Sequence, residues 1–186
     1  MKKHLLIYFC LIVFAVFLTG CSTNTNNEEV KIVSNHNFDT NISGMGVDYQ
    51  IENMKKGKYE VKFYAKEYKK GEFVKEHRLY NLTLDIDSKN KKIPLSVHEE
   101  DKDIKLFIDS KYQNITLDFF EEWGRGLALS GIESEKVLKL NEDTPVAVYS
   151  IAGEDGIVSG VNLEEDYELG SNNQDLVIFM KITQSN

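Results

Sequence analysis

Few side chains in this sequence have the types and spacing to act together on a substrate or an ion. Outside the N-terminal stretch the histidines are His36, His77 and His98, a set too scattered to form a spaced ligand motif, and they read as exposed or edge residues. Serine hydrolysis needs a nucleophile on a sharp Gly-x-Ser-x-Gly elbow, and neither Leu129-Ser130-Gly131 nor Val158-Ser159-Gly160 provides one. Gly124-Arg125-Gly126 is too short to cradle a phosphate, and no strand-to-helix pattern follows it. Trp123 and Arg125 are of types that dominate binding hot spots, but a sole Trp reads first as a core anchor. Glu121 and Glu122 are adjacent; on a strand they point to opposite faces and cannot flank one glycosidic bond.

Acidic residues are plentiful, which weakens each candidate cation site. Asp85 to Asn90 shares two oxygen ligands with a calcium loop, but Lys89 falls where an oxygen belongs and the Gly and distal Glu are missing. The segment from Asn162 to Asp175 offers Glu164, Glu165, Asp166, Glu168 and Asp175 to Ca2+, although a charge run is first a solvated face. No metal and no catalytic residue is assigned. An extracytoplasmic enzyme with an unrecognised site is kept as the competing reading.

The cysteines are more informative. Lys2 and Lys3 precede an almost unbroken apolar run from Leu5 to Leu18, which closes on Thr19 and Gly20 just before Cys21. Its 14 residues fall short of the roughly 20 that span a bilayer, and the order of charge, apolar length and small residues is that of an export signal. Leu18-Thr19-Gly20-Cys21 resembles the lipobox of bacterial lipoproteins. That resemblance implies a cleaved signal peptide over residues 1–20, specificity positions at Leu18, Thr19 and Gly20, and a diacylglycerol on the Cys21 sulfur. It covers only these first 21 residues. Two acyl chains, at about 0.8 kcal/mol per buried methylene, would anchor the protein stably to the outer face of a membrane. Cys10 lies in the apolar run and Cys21 carries the lipid, so the mature chain would have no disulfide and no thiol site.

Loss of Lys2 and Lys3 takes the formal net charge from -8 to -10 over the remaining 166 of 186 residues, a length that suits one domain. Lysines interleaved with acids cannot make the basic patch that nucleic acid requires, and an acidic domain is repelled by anionic head groups within a Debye length of about 8 Å. Residues 21–29 read as lipidated cysteine and polar tether, reaching about 15 Å. Residues 30–186 read as one folded domain.

That domain reads as all-β, because short alternating apolar runs are separated by Lys, Asn, Gly and Asp. Lys70-Gly71 is expected to turn a hairpin that pairs Val61 with Tyr80 and Tyr59 with Leu82. A turn at Ser88 to Lys91 would pair Leu82 with Val97, Leu84 with Leu95 and Ile86 with Ile93. A turn at Ser110 to Gln113 would pair Ile104 with Phe119, Leu106 with Leu117 and Ile108 with Ile115. In that register His98 faces Asn81, about 13 Å along the strand from His77. Glu154-Asp155-Gly156 would join Val146 to Ala152 with Ile157 to Leu163, and Leu176 to Ile182, apolar on both faces, belongs in mid-sheet. Together these imply an antiparallel β-sandwich of β-meander hairpins, immunoglobulin-like in general architecture without an assigned topology. Met54 to Tyr59 resembles the tyrosine corner of such sandwiches, though it comes too early in the chain.

Tyr64, Tyr68 and Phe73 share one face of the first hairpin, opposite the apolar set Val61, Phe63, Leu82 and Leu84. Tyr68 and Phe73, next to the turn, are expected to stay partly exposed and to form a surface for an envelope protein or polymer. The anchor is testable first. Cys21→Ala should abolish metabolic labelling with a tagged fatty acid and leave an uncleaved precursor or a released protein; unchanged labelling would refute the lipobox reading.

Overall fold

The computed structural model describes residues 29–35, 42–88, 91–153, 156, 158, 160–164, 167–169 and 173–185, without the side chains of 122–125. Leu18, Thr19, Gly20, Cys21 and His36 lie outside the described residues, as do the Trp123 and Arg125 side chains. The strands are β1 (Lys31–Ser34), β2 (Met45–Glu52), β3 (Gly57–Lys69), β4 (Glu72–Ile86), β5 (Ile93–Glu100), β6 (Asp103–Ile108), β7 (Lys111–Thr116), β8 (Leu127–Gly131), β9 (Glu135–Val137), β10 (Asp143–Ile151) and β11 (Gln174–Ser185), with a 3-10 helix at Asp118–Arg125. They form an antiparallel sandwich. One sheet has the order β7-β6-β5-β2-β1-β9 and the other β4-β3-β11-β10-β8.

Apolar alternation builds the interior. β6 alternates strictly, with Ile104, Leu106 and Ile108 fully buried, and they face Leu84, Ile86, Phe63 and Met180 of the other sheet in one core. β11 is buried on both faces and lies between β3 and β10, as an apolar strand must. Two tyrosines cross between the sheets. The Tyr49 hydroxyl on β2 donates to the Val146 carbonyl at 2.7 Å and accepts from the Ile132 N–H at 2.9 Å. From β10, the Tyr149 hydroxyl reaches the Met45 and Val97 carbonyls at 3.2 and 3.3 Å. The Tyr59 hydroxyl donates back to the Lys55 carbonyl at 2.9 Å.

Four expected pairings need correction. β4 and β5 do not pair. β4 is the edge of one sheet, the connection crosses to the other, and β5 takes β2 as partner through Val47–Val97, Tyr49–Leu95 and Ile51–Ile93. Two strands that face each other across a core satisfy same-face alternation as well as two that pair, and β2 offers β5 three apolar partners. The β6–β7 hairpin exists but turns on Asp109-Ser110, with Asp109 in the left-handed region (φ 57°), so Ile104 meets Ile115 and Ile108 meets Lys111. The displacement is an even number of residues and keeps every face. It also frees Leu117, Phe119 and Phe120 from the ladder to bury themselves at the sandwich end, where Phe120 packs edge-on to Tyr149 at 5.7 Å. Glu121 and Glu122 consequently stand on the 3-10 helix and not on a strand.

The β3–β4 turn is as expected, with positive φ at both Lys70 (54°) and Gly71 (79°), the geometry that matches strand twist. Tyr68 pairs with Phe73, but bulges at Val74 and Leu79 then displace the ladder by two, giving Val61–Leu82 and Tyr59–Leu84. Gly153 and Gly156 do close a turn, the Gly156 N–H donating to the Gly153 carbonyl, and Gly156 has φ 71°. The described residues between Gly156 and β11 form no strand, because β10 already lies between β8 and β11. Instead Val161 donates its N–H to Ser130 Oγ, and Val161, Tyr167 and Leu169 pack across the outer face that carries fully buried Val148, Val177 and Asp175.

Alternation predicts stability effects along β4. Leu84 is buried while Thr83 and Asp85 are exposed, so Leu84→Ala should cost about 2 to 5 kcal/mol in denaturant unfolding. Thr83→Ala and Asp85→Ala should stay within about 0.5 kcal/mol of wild type. Equal losses at all three positions would overturn the assignment of faces.

Candidate functional site

The β3–β4 turn ends in a small apolar surface. Antiparallel pairing sets Tyr68 opposite Phe73, and their rings meet edge to face at 6.0 Å. Tyr68 is half-buried, whereas Phe73 and Val74 are 58% and 49% exposed. The bulge at Val74 contributes: Val74 is an extra residue with no partner between the Tyr68–Phe73 and Glu67–Lys75 pairs, and Phe73 has the Tyr68 ring against it. Tyr64 does not belong to this surface. It is 3% exposed, stacked on Phe179 of β11 at 5.2 Å, with the ammonium groups of Lys62 and Lys66 at 4.8 and 5.6 Å from its ring centre. The lysine stems that interleave this face cover the ring while their charges stay in water. Tyr64 is thereby removed from the binding set, and Val74, which the sequence reading missed, joins it.

A second constellation lies on the other sheet. His98 is buried in β5, a central strand, contrary to the expectation of an exposed or edge position. Its Nε2 sits 3.1 Å from Asp48 Oδ1 of β2. Gly46, directly opposite His98, makes this possible: a Cβ there would lie 2.2 Å from the ring carbons. Ser96 shares the face and pairs with Asp48, yet among the described residues its buried hydroxyl makes no hydrogen bond, nor does His98 Nδ1. The nucleophile-to-base contact of a serine triad is therefore not made. His77 lies on the edge strand β4 beside Glu67 at 3.2 Å, so the two described histidines stand in different sheets.

Asp48 also lines a cleft of about 660 Å3 where β2 approaches β8. Ser34, Gly46, Val47 and Asp48 form one wall, Leu129 to Glu133 the second, and Gly160, Val161 and Asn162 the third. Its depth is set by Gly131, where a Cβ would come within 2.6 Å of the Tyr49 hydroxyl oxygen. The acids of the Asn162 to Asp175 segment that are described do not converge on one point. Glu164 accepts from the N–H and hydroxyl of Ser134 at 2.6 and 2.8 Å, while Asp175 turns inward to Ser150. Among the described residues no group of three or more His, Cys, Asp or Glu is placed to hold a metal ion. Comparison with protein families, with curated proteins and with solved structures finds no match to this chain.

Beneath the turn surface, Asp175 of β11 pairs with Tyr68 on one side and Ser150 on the other. It is fully buried; Oδ1 accepts the Ser150 hydroxyl at 2.5 Å, and Oδ2 has no hydrogen-bond partner among the described residues. Burial raises its pKa from the ordinary aspartate value, and the Ser150 hydrogen bond offsets this only in part. The folded-state pKa thus exceeds the unfolded value. Folding bears a penalty while the group is charged, and the penalty lifts as pH falls through the folded pKa. Glu99, buried with an unpartnered Oε2, is shifted the same way. As pH is lowered from ~7 towards the ordinary aspartate pKa of about 3.9, the melting temperature of the wild type should therefore gain relative to that of Asp175→Asn, as followed by thermal unfolding across that range. Parallel profiles would show that Asp175 is not held with a raised pKa.

Proposed function

We propose that this chain is a lipid-anchored, extracytoplasmic, non-catalytic binding module, held to the membrane through Cys21 and engaging an envelope protein or polymer through Tyr68, Phe73 and Val74. The observation that carries the reading is the placement of that surface. β1 begins at Lys31, opposite Glu52 and Val137, at the end of the sandwich that also holds the β2–β3 and β4–β5 connections. The β3–β4 turn lies at the other end, 13 residues along β3, or about 40 Å at ~3.3 Å per residue. A tether entering at Glu29 would hold the aromatic turn away from the lipid surface and towards whatever lies beyond it. Phe73 and Val74 remain half exposed on a bulged edge strand, and exposed apolar patches are characteristic of interaction sites.

The test uses cells that display the anchored protein. A photo-crosslinking residue at position 74 should capture a discrete partner, and one at Asn81, exposed on the same strand, should not. Phe73→Ser should abolish the adduct while changing stability by less than about 0.5 kcal/mol. Identical adducts from both positions, or a large loss of stability in Phe73→Ser, would count against the surface.

A further inference from the structure

The β3–β4 hairpin collects cations that lack a carboxylate partner. Between Lys62 and Asn81 it carries Lys62, Lys66, Lys69, Lys70, Lys75 and Arg78 against Glu67, Glu72 and Glu76, a formal charge of +3 in a chain of -8. Glu67 is already engaged by Lys75 at 3.4 Å and by His77 at 3.2 Å. Among the described residues Lys62, Lys66, Lys69, Lys70 and Arg78 form no ion pair, whereas lysines elsewhere, such as Lys31, Lys92 and Lys105, each hold a carboxylate. Lys69, Lys70 and Arg78 are exposed, and Lys62 and Lys66 are half-buried. The acids of the β5–β6 turn belong to the other sheet.

Two of these cations are held in place. β3 alternates, so Lys62, Tyr64 and Lys66 share its outer face, and Arg78 of β4 stands directly opposite Tyr64. The Lys62 ammonium lies 4.8 Å from the Tyr64 ring centre, and that of Lys66 lies 5.6 Å from Tyr64 and 5.1 Å from the stacked Phe179. Attraction to the ring faces restricts both lysines before any ligand arrives, so less side-chain freedom is lost on binding. Two acids border the strip: Glu76 is opposite Lys66, and Asp143 is 3.9 Å from Lys181. β3 is paired on both sides, with β4 and β11, so its backbone offers no ladder to an added peptide strand. What remains for recognition is side-chain charge and the exposed Phe73 ring, which adjoins the strip through Tyr68. Resting on the reading of the β3–β4 turn as a binding surface, we infer that this strip binds a linear, phosphate-bearing polymer. Its anionic groups meet Lys62, Lys66 and Arg78, and its carbon chain passes over Phe73.

The test is an amide-detected NMR titration of the purified chain with synthetic poly(glycerol phosphate) and, in parallel, with poly-L-glutamate and with polyethylene glycol. Poly(glycerol phosphate) should give saturable shifts at Lys62, Lys66, Phe73 and Arg78, and its affinity should fall about tenfold between about 50 and about 200 mM salt. Poly-L-glutamate should bind more weakly, and polyethylene glycol should not bind. Lys66→Gln combined with Arg78→Gln removes two cations and should weaken poly(glycerol phosphate) at least about tenfold. Lys56→Gln combined with Lys139→Gln removes the same charge from exposed positions outside the hairpin and should leave binding unchanged. Lys62→Gln repeats the comparison at a single position, so a folding defect in the first pair would not rescue the idea. Equal losses in the two double variants, shifts located away from the strip, or poly-L-glutamate bound as tightly as the phosphate polymer would overturn it. A protein adduct at position 74 in cells, without polymer binding in the titration, would overturn the polymer and leave the Phe73 surface standing.

Discussion

The two sheets are held in register by a reciprocal pair of buried tyrosines. Tyr49 projects from β2 and spends its hydroxyl on the backbone of the opposite sheet at Val146 and Ile132; Tyr149 projects from β10 and spends its own on Met45 and Val97. Apolar packing alone is non-directional and would let the sheets slide. A phenol buried without a partner costs about 1 to 3 kcal/mol, so a slide that broke either set would be opposed by more than a typical core contact gains. Other features follow from this constraint. Gly131 must lack a side chain because the Tyr49 hydroxyl occupies the space, β8 is drawn over β2 as a result, and the cleft lies between them. Phe120 is brought against Tyr149, which gives the 3-10 helix its docking point.

Alternation was legible wherever a strand had one dry face, and pairing was not. Leu84, Leu95 and Val97 are buried as read, yet Leu84 lies across the core from Leu95 and not beside it. Period-two patterning specifies which face a residue occupies; it carries no information on whether two such faces are side by side or opposed. The β6–β7 displacement has the same origin, since an even shift leaves every face intact and only the conformation at Asp109 decides the turn. Bulges were invisible for a related reason. Those at Val74 and Leu79 come as a pair and restore the parity that one alone would break.

The candidate sites divide along the same line. Phe73 was readable because a local signal, Lys70-Gly71, fixes the turn beside it, and its partner Tyr68 lies five residues away. Asp48 and His98 are 50 residues apart and meet only through the β2–β5 ladder, so no spacing could announce them. Tyr64 failed as a surface residue because β11, more than a hundred residues downstream, supplies Phe179 to cover it.

The sandwich also revises what an acidic net charge would mean under the proposed anchoring. With screening over about 8 Å, charge at the far end of a body some 40 Å long is not felt at the lipid surface. Only the tether end counts. There Glu52, Asp109 and Glu142 are paired with Lys92, Lys91 and Lys139, and exposed Lys55, Lys56 and Lys58 stand among exposed Glu29, Asp85 and Asp87. Glu99, Glu100, Asp101 and Asp103 all gather at the β5–β6 turn, at the other end. Under the proposed anchoring, lysines near an anionic surface contribute roughly 1 kcal/mol each, and the neighbouring acids oppose them. The same polarity would turn the acidic end, together with Phe73, away from the lipid.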